Sequence, residues 1–231
     1  MKVWLLDLDN TLHDALPEVF PRINRAMTAF MARELALSED DASALRVQYW
    51  RRYGATLLGL IRHHDIDPHR FLFETHPFPD LEQLVRRDHR LVHALRRLPG
   101  RRIVLTNSPL AYASRVVRAL GIAAQIDAIV SIEAMNFAGR WQPKPSRAML
   151  RRLLARLRVS AADCVLVEDS VENLAGACHV GVRTVLVTGI SHRATPRGGH
   201  TRAGPSRRVG LQVQSVAHLP RRALRSVLRP T

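Results

Sequence analysis

Cysteine and lysine are both scarce in this chain of 231 residues. Only two cysteines occur, Cys164 and Cys178, and both fall in apolar segments predicted to be strand and helix. So few cysteines exclude a small disulfide-stapled domain, and we predict that both thiols are reduced. No run approaches the ~18 apolar residues of a membrane-spanning helix. The first apolar run is interrupted by acidic residues, which is atypical of a secretory signal. The sequence therefore predicts a soluble, cytoplasmic protein with no membrane partner.

The basic residues are almost all arginine and are unevenly placed. The net charge is +15, and 33 of the 35 basic residues are arginines, a ratio that indicates GC-rich codon usage more than a surface built for a partner. No acidic residue follows Glu172, whereas nine arginines lie between Arg193 and Arg229. We predict a mobile basic loop over residues 193–208 and no nucleic-acid partner. A basic scaffold that binds nucleic acid remains the alternative from another functional class.

Short β-rich runs alternate with helical patterns along much of the chain. The five runs are Val3–Leu8, Ile103–Thr106, Ala128–Ile132, Cys164–Glu168 and Thr184–Val187. One helix is predicted after Ser108, which is a typical N-cap residue, and another from Ser146, where apolar residues recur on one helical face. Leu211–Val213 is predicted to be an edge strand, and residues 216–228 a terminal helix. Alternation of this kind predicts an α/β fold, a doubly wound parallel sheet with a Rossmann-like core.

The segment 15–98 has a different character, because it contains no convincing strand and is typical of about four helices. A capping-box pattern at Ser38 starts one of them, which is predicted to continue towards His63. An all-helical block between the first and second strands is best explained as an inserted α-helical cap over the strand ends. The Rossmann-like core would then comprise residues 1–14 and 99–231.

Two aspartates, Asp7 and Asp9, follow the first buried strand. Burying their charges costs several kcal/mol unless a partner neutralises them, and a hard cation such as Mg²⁺ is a suitable partner. Ligands of doubly wound sheets bind beyond the carboxyl ends of the strands, where both residues fall. Asp7 can act as a nucleophile and form an aspartyl-phosphate. Asp9 can protonate the leaving oxygen and then activate water.

Polar residues at three later positions supply what the two acids lack. Phosphate-ester hydrolysis also needs a metal and groups that bind the phosphoryl oxygens. Thr106 and Asn107 can donate hydrogen bonds to the phosphoryl group, and Lys144 can neutralise its charge and restrain the nucleophile. Glu168 and Asp169 can complete a Mg²⁺ shell. Together these residues predict a site for phosphoryl transfer.

Four short motifs in chain order resemble those of the haloacid-dehalogenase-superfamily hydrolases. They are DLDNT at Asp7–Thr11, LTNS at Leu105–Ser108, KP at Lys144-Pro145 and VEDS at Val167–Ser170. The resemblance extends from residue 1 to about residue 190, and the helical block falls where that superfamily carries its subfamily IA cap. The Asn at position 10 stands where many relatives have Gly.

The resemblance implies a role for each motif residue. Asp7 would be the nucleophile, Asp9 the acid/base, and Lys144 the catalytic lysine that also holds phosphate. The Mg²⁺ would be held by Asp7, the Asp9 backbone carbonyl, Asp169 and, in some members, Glu168. The implied enzyme is a Mg²⁺-dependent phosphoric monoester hydrolase.

Within the superfamily, the DLDNTL motif resembles most closely the pyrimidine 5′-nucleotidase branch. The substrate implied is a pyrimidine nucleoside 5′-monophosphate; phosphatase activity on another small metabolite and phosphomutase activity are the alternatives. Dehalogenases lack an aspartate at the position of Asp9, which disfavours carbon–halogen hydrolysis. Candidate substrate contacts are Asn10 and His13 in the loop after the first strand, and Tyr53 and His63 in the cap. The sequence indicates no oligomeric state.

Overall fold

The computed structural model describes residues 1–190 and 210–219. Its strands are β1 (Val3–Leu6), β2 (Arg101–Leu105), β3 (Ala128–Val130), β4 (Asn136–Phe137), β5 (Arg140–Trp141), β6 (Cys164–Glu168), β7 (Arg183–Val187) and β8 (Leu211–Val213). Six of them form one parallel sheet in the order β3-β2-β1-β6-β7-β8, and β4 pairs with β5 in a separate antiparallel ribbon. The predicted α/β class with a doubly wound parallel sheet is confirmed.

The helices lie on both faces of the sheet and in a block after β1. They are α1 (Val19–Leu35), α2 (Glu39–Tyr53), α3 (Thr56–His64), α4 (Pro68–Thr75), α5 (Leu81–Leu84), α6 (His89–Arg97), α7 (Leu110–Ala119), α8 (Arg147–Leu157) and α9 (Val171–Cys178). None of the described helices is both long and apolar enough to span a membrane. The Cys164 thiol is free and buried.

Strand β1 lies at the centre of the sheet and is buried on both faces. Trp4 and Leu6 belong to one hydrophobic cluster, whereas Val3 and Leu5 belong to the cluster on the opposite face. Because both faces of β1 are covered by packed side chains, the strand has no side that faces solvent. This explains its continuous apolar sequence. The chain passes from β1 to β2 on one side and returns later to β6 on the other. This change of direction places a ligand-binding crevice at the carboxyl end of β1.

The helix that starts at Ser38 is shorter than the sequence predicts. The Ser38 side chain accepts a hydrogen bond from the Asp41 N–H at 3.1 Å, as the capping-box pattern indicates. The prediction that this helix continues towards His63 is wrong, because α2 ends at Tyr53. Gly54 follows with a φ of 82°, a left-handed conformation that commonly terminates helices. The next helix, α3, begins at Thr56.

The hydrophobic contacts divide the helical block into two parts. Helices α1 to α4 share a cluster that includes Phe30, Leu60 and Phe71, although Val19 and Ile23 of α1 belong to the cluster that covers the sheet. Helices α5 and α6 pack instead on the cluster that covers the sheet, through Leu81 and Leu95 among others. The division of the chain into a core and a cap over residues 15–98 stays a prediction.

Two predictions concern the end of the chain. Strand β8 pairs with β7 at the edge of the sheet, as the sequence predicts. Of the predicted terminal helix, the structure describes a 3₁₀ turn at Val216–His218. The rest of that helix and the predicted loop over residues 193–208 lie outside the described residues.

Candidate active site

Strand β1 brings two aspartates to the carboxyl edge of the sheet. The Asp7 N–H donates to the Val167 carbonyl at 2.9 Å, so the chain is still aligned with β6 where it leaves the strand. It then turns over Asn10, which has a φ of 61°, a conformation that asparagine adopts more readily than most residues. The Asn10 side chain accepts from the Ala15 N–H at 3.2 Å. The loop thus fixes Asp7 and Asp9 where such sheets bind ligands.

Lys144 lies between two buried carboxylates. Its Nζ is 2.5 Å from Asp7 Oδ1 and 2.8 Å from Glu168 Oε2, and all three side chains are buried. The Thr11 hydroxyl donates to the other Asp7 oxygen at 2.9 Å. Burial alone would lower the pKa of Lys144, but the charges of Asp7 and Glu168 raise it above its ordinary value. Lys144 is therefore a permanently protonated partner of both acids.

One lysine does not neutralise two carboxylates, and the pKa of Asp7 reflects the excess negative charge. Burial and then the charge of Glu168 raise the pKa of Asp7 to about 7, although Lys144 opposes this shift. Burial likewise raises the pKa of Glu168, again against the effect of Lys144. A nucleophilic Asp7 must be ionised, so further positive charge at this point would favour its reactive form.

Three carboxylates form a group that can hold such a cation. Oxygen atoms of Asp7, Glu168 and Asp169 lie within 4.8 Å of one another. An acidic donor set made only of oxygen atoms suits a hard divalent ion such as Mg²⁺. The same ion would neutralise the excess negative charge around Asp7. The Asp9 side chain does not belong to this group of carboxylates, because it forms hydrogen bonds with other side chains. The predicted binding of Mg²⁺ by Asp9 involves its backbone carbonyl, and it stays a prediction.

Hydrogen bonds hold both oxygens of the Asp9 carboxylate. Ser108 Oγ donates to Oδ2 at 2.7 Å, and the Tyr112 hydroxyl donates to Oδ1 at 2.6 Å. His13 Nε2 lies 2.8 Å from the same Oδ1. Burial raises the pKa of Asp9, but the three partners, led by His13, outweigh burial and lower the pKa below its ordinary value. The carboxylate of Asp9 is therefore fixed in place by side chains from two parts of the chain, the loop after β1 and the segment 108–112.

Ser108 does not cap the helix that follows it, contrary to the sequence-based prediction. Helix α7 begins at Leu110, after Pro109, and the Ser108 hydroxyl is used on Asp9. The Leu110 N–H instead donates to the Glu133 carboxylate, 3.1 Å from each oxygen. An anionic acceptor is favourable at a helix N-terminus. Because Glu133 serves as the cap, the serine is free to hold the acid.

The two predicted phosphate-binding residues after β2 have different surroundings. Thr106 is buried, and its Oγ1 accepts from the Ser108 N–H at 3.0 Å, which leaves its hydroxyl proton available to a ligand. The Asn107 amide holds the backbone of Lys144 on both sides: Nδ2 donates to the carbonyl at 3.1 Å, and Oδ1 accepts from the N–H at 2.9 Å. Asn107 thus positions the lysine. Contacts of Thr106 and Asn107 with phosphate stay predictions.

Two of the four candidate substrate contacts are engaged inside the loop after β1. Asn10 and His13 are each 6% exposed, and their side chains bind Ala15 and Asp9 respectively. A direct contact of either with substrate stays a prediction.

The other two candidates lie on α2 and α3: Tyr53 is the last residue of α2, and His63 lies in the last turn of α3. The Tyr53 hydroxyl and His63 Nε2 are 2.6 Å apart, and His63 is exposed. A Cβ built on the adjacent Gly54 would lie 3.3 Å from Pro145 Cδ and 3.7 Å from the Lys144 carbonyl oxygen. The backbone at Gly54 therefore lies against the peptide that carries the buried lysine. Contacts of Tyr53 and His63 with substrate stay predictions.

Sequence analysis missed Tyr112, which is 4% exposed and binds Asp9. Ser108 precedes α7 and Tyr112 lies in its first turn, so helical periodicity does not link the two residues. The sequence carries no local signal that pairs Tyr112 with Asp9.

The fold and the site together define an enzyme with aspartates and a buried lysine side by side at the carboxyl edge of a parallel sheet. The chain belongs to the haloacid dehalogenase-like hydrolases, whose family pattern matches residues 1–181. The matched region contains every residue of the site described above.

A curated relative is phosphate metabolism protein 8 of Saccharomyces cerevisiae. It is 27% identical over 202 residues, which are 80% of this chain and 61% of that protein. The chain therefore spans less than two thirds of the length of this relative.

Solved structures resemble the whole chain in fold. A HAD phosphatase from Thermococcus onnurineus has a TM-score of 0.59 and 18% identity, over 98% of this chain and 99% of its own. CbbY from Rhodobacter sphaeroides, solved with phosphate, has a TM-score of 0.59 and 21% identity, over 95% and 96%. Haloacid dehalogenases share the fold as well. The fold alone therefore does not distinguish the two chemistries.

Proposed function

We propose that this chain is a phosphatase that hydrolyses a small phosphate monoester through an aspartyl-phosphate on Asp7. The observation that carries the proposal is the second acid: Asp9 is present and is held by three partners beside Asp7 and Lys144. Carbon–halogen hydrolysis does not need a group that protonates an ester oxygen, whereas phosphate-ester cleavage does. The name of the yeast relative is in accord with phosphate chemistry.

The proposed reaction has two steps, and each uses residues of the described site. In the first, an Asp7 carboxylate oxygen attacks phosphorus, the bond from phosphorus to the ester oxygen breaks, and Asp9 transfers its proton to the departing oxygen. In the second, Asp9 takes a proton from water, the water oxygen attacks phosphorus, and the bond to Asp7 breaks. Over the two steps, one phosphate ester and one water are consumed, and one alcohol and one phosphate are released. Lys144 offsets negative charge throughout.

Mg²⁺ is the cofactor that the donor set favours. Asp7, Asp169 and Glu168 would hold it together with the Asp9 backbone carbonyl. When bound, the ion neutralises charge on the phosphoryl oxygens and favours the ionised form of the nucleophile.

For the substrate we propose a pyrimidine nucleoside 5′-monophosphate. The DLDNTL motif supports this class by its resemblance to that branch, and the aromatic Tyr53 directly precedes Gly54, whose backbone approaches Lys144-Pro145. Another small metabolite phosphate and phosphomutase chemistry remain the alternatives within the superfamily.

The decisive experiment is phosphate release from a panel of nucleoside monophosphates and metabolic phosphates, with Mg²⁺ and then with EDTA. We expect Mg²⁺-dependent turnover led by UMP, CMP or their deoxy forms. Asp7→Asn should lower turnover by more than 10³-fold while the circular dichroism spectrum is unchanged, in the range seen when a covalent nucleophile is removed. Exposed Asp14 provides the matched control, since Asp14→Asn changes an acid of the same loop and should retain turnover.

Each other outcome has a defined meaning. Turnover led by another ester would retain the chemistry and reject the pyrimidine proposal. Transfer of phosphate to a sugar phosphate without phosphate release would indicate a mutase. Absence of turnover by the wild-type protein, or equal turnover by Asp7→Asn, would reject the phosphatase. Salt-dependent binding to nucleic acid in that last case would favour the scaffold alternative.

A further inference from the structure

The hydroxyl of Tyr112 meets the acid/base Asp9 although its ring belongs to the hydrophobic core. Tyr112 lies in the first turn of α7 and its ring is part of the cluster that covers one face of the sheet. The hydroxyl donates to Asp9 Oδ1 at 2.6 Å. Packing alone requires the ring of Tyr112 and not its hydroxyl. The hydrogen bond of the hydroxyl to Asp9 therefore indicates a second role for this residue.

Neighbouring rings fix the position of this tyrosine. His76 and Phe78, from the segment between α4 and α5, have ring centroids 5.7 Å from that of Tyr112. Phe78 is 3% exposed and Tyr112 is 4% exposed. Rings packed in this way lose the freedom to turn. The hydroxyl is thus held at one point relative to Asp9.

The hydrogen bonds around Asp9 are distributed unequally between its two oxygens. A carboxylate oxygen has two lone-pair directions. On Oδ1 both are used, by Tyr112 and by His13 in its Nε2–H form. On Oδ2, within the described residues, Ser108 is the one side chain that donates. The free lone pair of Oδ2 is therefore the position at which Asp9 can bind a proton and then transfer it to another molecule.

We propose that Tyr112 is a positioning residue for the acid/base: its hydroxyl anchors Oδ1 so that Oδ2 of Asp9 faces the leaving oxygen of the substrate. The inference rests on the proposed phosphatase function and deepens it. No bond to Tyr112 is made or broken, and its contribution is the orientation of a group that otherwise rotates about its own side-chain bonds.

The test compares two leaving groups in single turnovers, with enzyme in excess. Para-nitrophenyl phosphate releases a stable phenolate that needs no proton, whereas the nucleoside monophosphate or other alkyl ester that the panel identifies releases an alkoxide that does. Tyr112→Phe keeps the ring and removes the hydroxyl. We expect alcohol release from the alkyl ester to slow by roughly 10- to 100-fold, within the range of general acid catalysis. Release of para-nitrophenolate should change by less than about 3-fold, because that step does not depend on proton donation.

Tyr49→Phe is the matched control, because the Tyr49 hydroxyl lies 2.6 Å from His64 in the helical block and has no contact with Asp9. It should leave the ratio of the two rates unchanged. The ratio does not depend on how much of a variant is folded. An equal loss of rate on both esters would show that Tyr112 acts through packing. No loss of rate on either ester would show that the hydroxyl does not contribute to catalysis. Both results would overturn the inference. If the wild-type protein cleaves neither ester, the proposed function fails first, and this inference with it.

Discussion

Asn107 shows how one side chain can matter to a site without touching substrate. Its amide satisfies both the N–H and the carbonyl of Lys144. Asn107→Ala would leave two backbone groups in a buried place without these partners, which typically costs about 1–3 kcal/mol of unfolding free energy. Chemical denaturation of the wild-type and variant proteins measures the difference.

The control for this prediction is another asparagine with one hydrogen bond at the surface. Asn24 Oδ1 accepts from Arg46 Nη1 at 2.9 Å in an exposed position. Asn24→Ala should cost less than about 0.5 kcal/mol, as is usual for surface substitutions. Equal losses in the two variants would contradict the view that Asn107 secures Lys144.

At the residue scale, the sequence predicted which residues meet but not what each side chain does there. Asp7, Glu168 and Asp169 were predicted to gather because strand ends share one edge of a parallel sheet, and Lys144 because phosphoryl transfer needs a positive charge at that place. The roles of Ser108 and Asn107 depend on competition between partners. Ser108 was predicted as an N-cap, yet Glu133 provides that cap from a distant turn. Such a choice is made by tertiary geometry and leaves no local signal.

At the scale of elements, the contact between α2 and α3 depends on a glycine. A Cβ on Gly59 would overlap the ring of Tyr49 at Cγ and Cδ2. In an exposed helix, replacing glycine by alanine stabilises by roughly 0.5–1 kcal/mol. Here Gly59→Ala should instead destabilise by about 1–3 kcal/mol, because overpacking forces the two helices apart.

A double-mutant cycle checks this prediction by denaturant unfolding. In a Tyr49→Ala background the ring atoms are absent and the contact with the Tyr49 Cβ at 2.7 Å remains, so Gly59→Ala should destabilise much less than in the wild-type background. A loss of the same size in both backgrounds would mean that the cost arises within α3 and not from its contact with α2.

The helix boundaries show where local patterns were sufficient. The Ser38 cap was correctly predicted because its signal lies within four residues. The break at Gly54 was missed, because the helix-forming residues on either side favour one continuous helix and a single glycine is tolerated within helices. The close approach at Gly59 joins two helices, and no pattern in either one specifies it.

At the scale of the whole molecule, the alternation of strands and helices was enough to predict the fold class. The order of the strands was not predicted, because the sequences of apolar strands such as β1 and β6 do not indicate which strands they pair with. That order nevertheless makes the site: β1 between β2 and β6 brings Asp7, Ser108 and Glu168 to one edge from three distant parts of the chain. The arginine-rich residues 193–208 lie outside the family match and outside the described residues.

The acidic centre also predicts how the stability of the whole protein responds to Mg²⁺. A ligand that binds only the folded chain raises its stability, by about 2.7 kcal/mol at 100 times the Kd. For a chain of this length that corresponds to a rise in Tm of roughly 5 to 10 °C, measurable by calorimetry with no substrate present. Excess EDTA should reverse the rise.

Two variants locate the ion. Asp169→Asn removes one charge from the group formed with Asp7 and Glu168, and should reduce the Mg²⁺-dependent rise in Tm to less than about half, because Mg²⁺ depends on charged oxygen ligands. Asp14→Asn removes the same charge from an exposed position and should keep the full rise. An equal rise in both variants would mean that Mg²⁺ binds elsewhere on the protein. That result would remove the metal from the proposed mechanism while leaving the arrangement of Asp7, Asp9 and Lys144 to be tested by turnover alone.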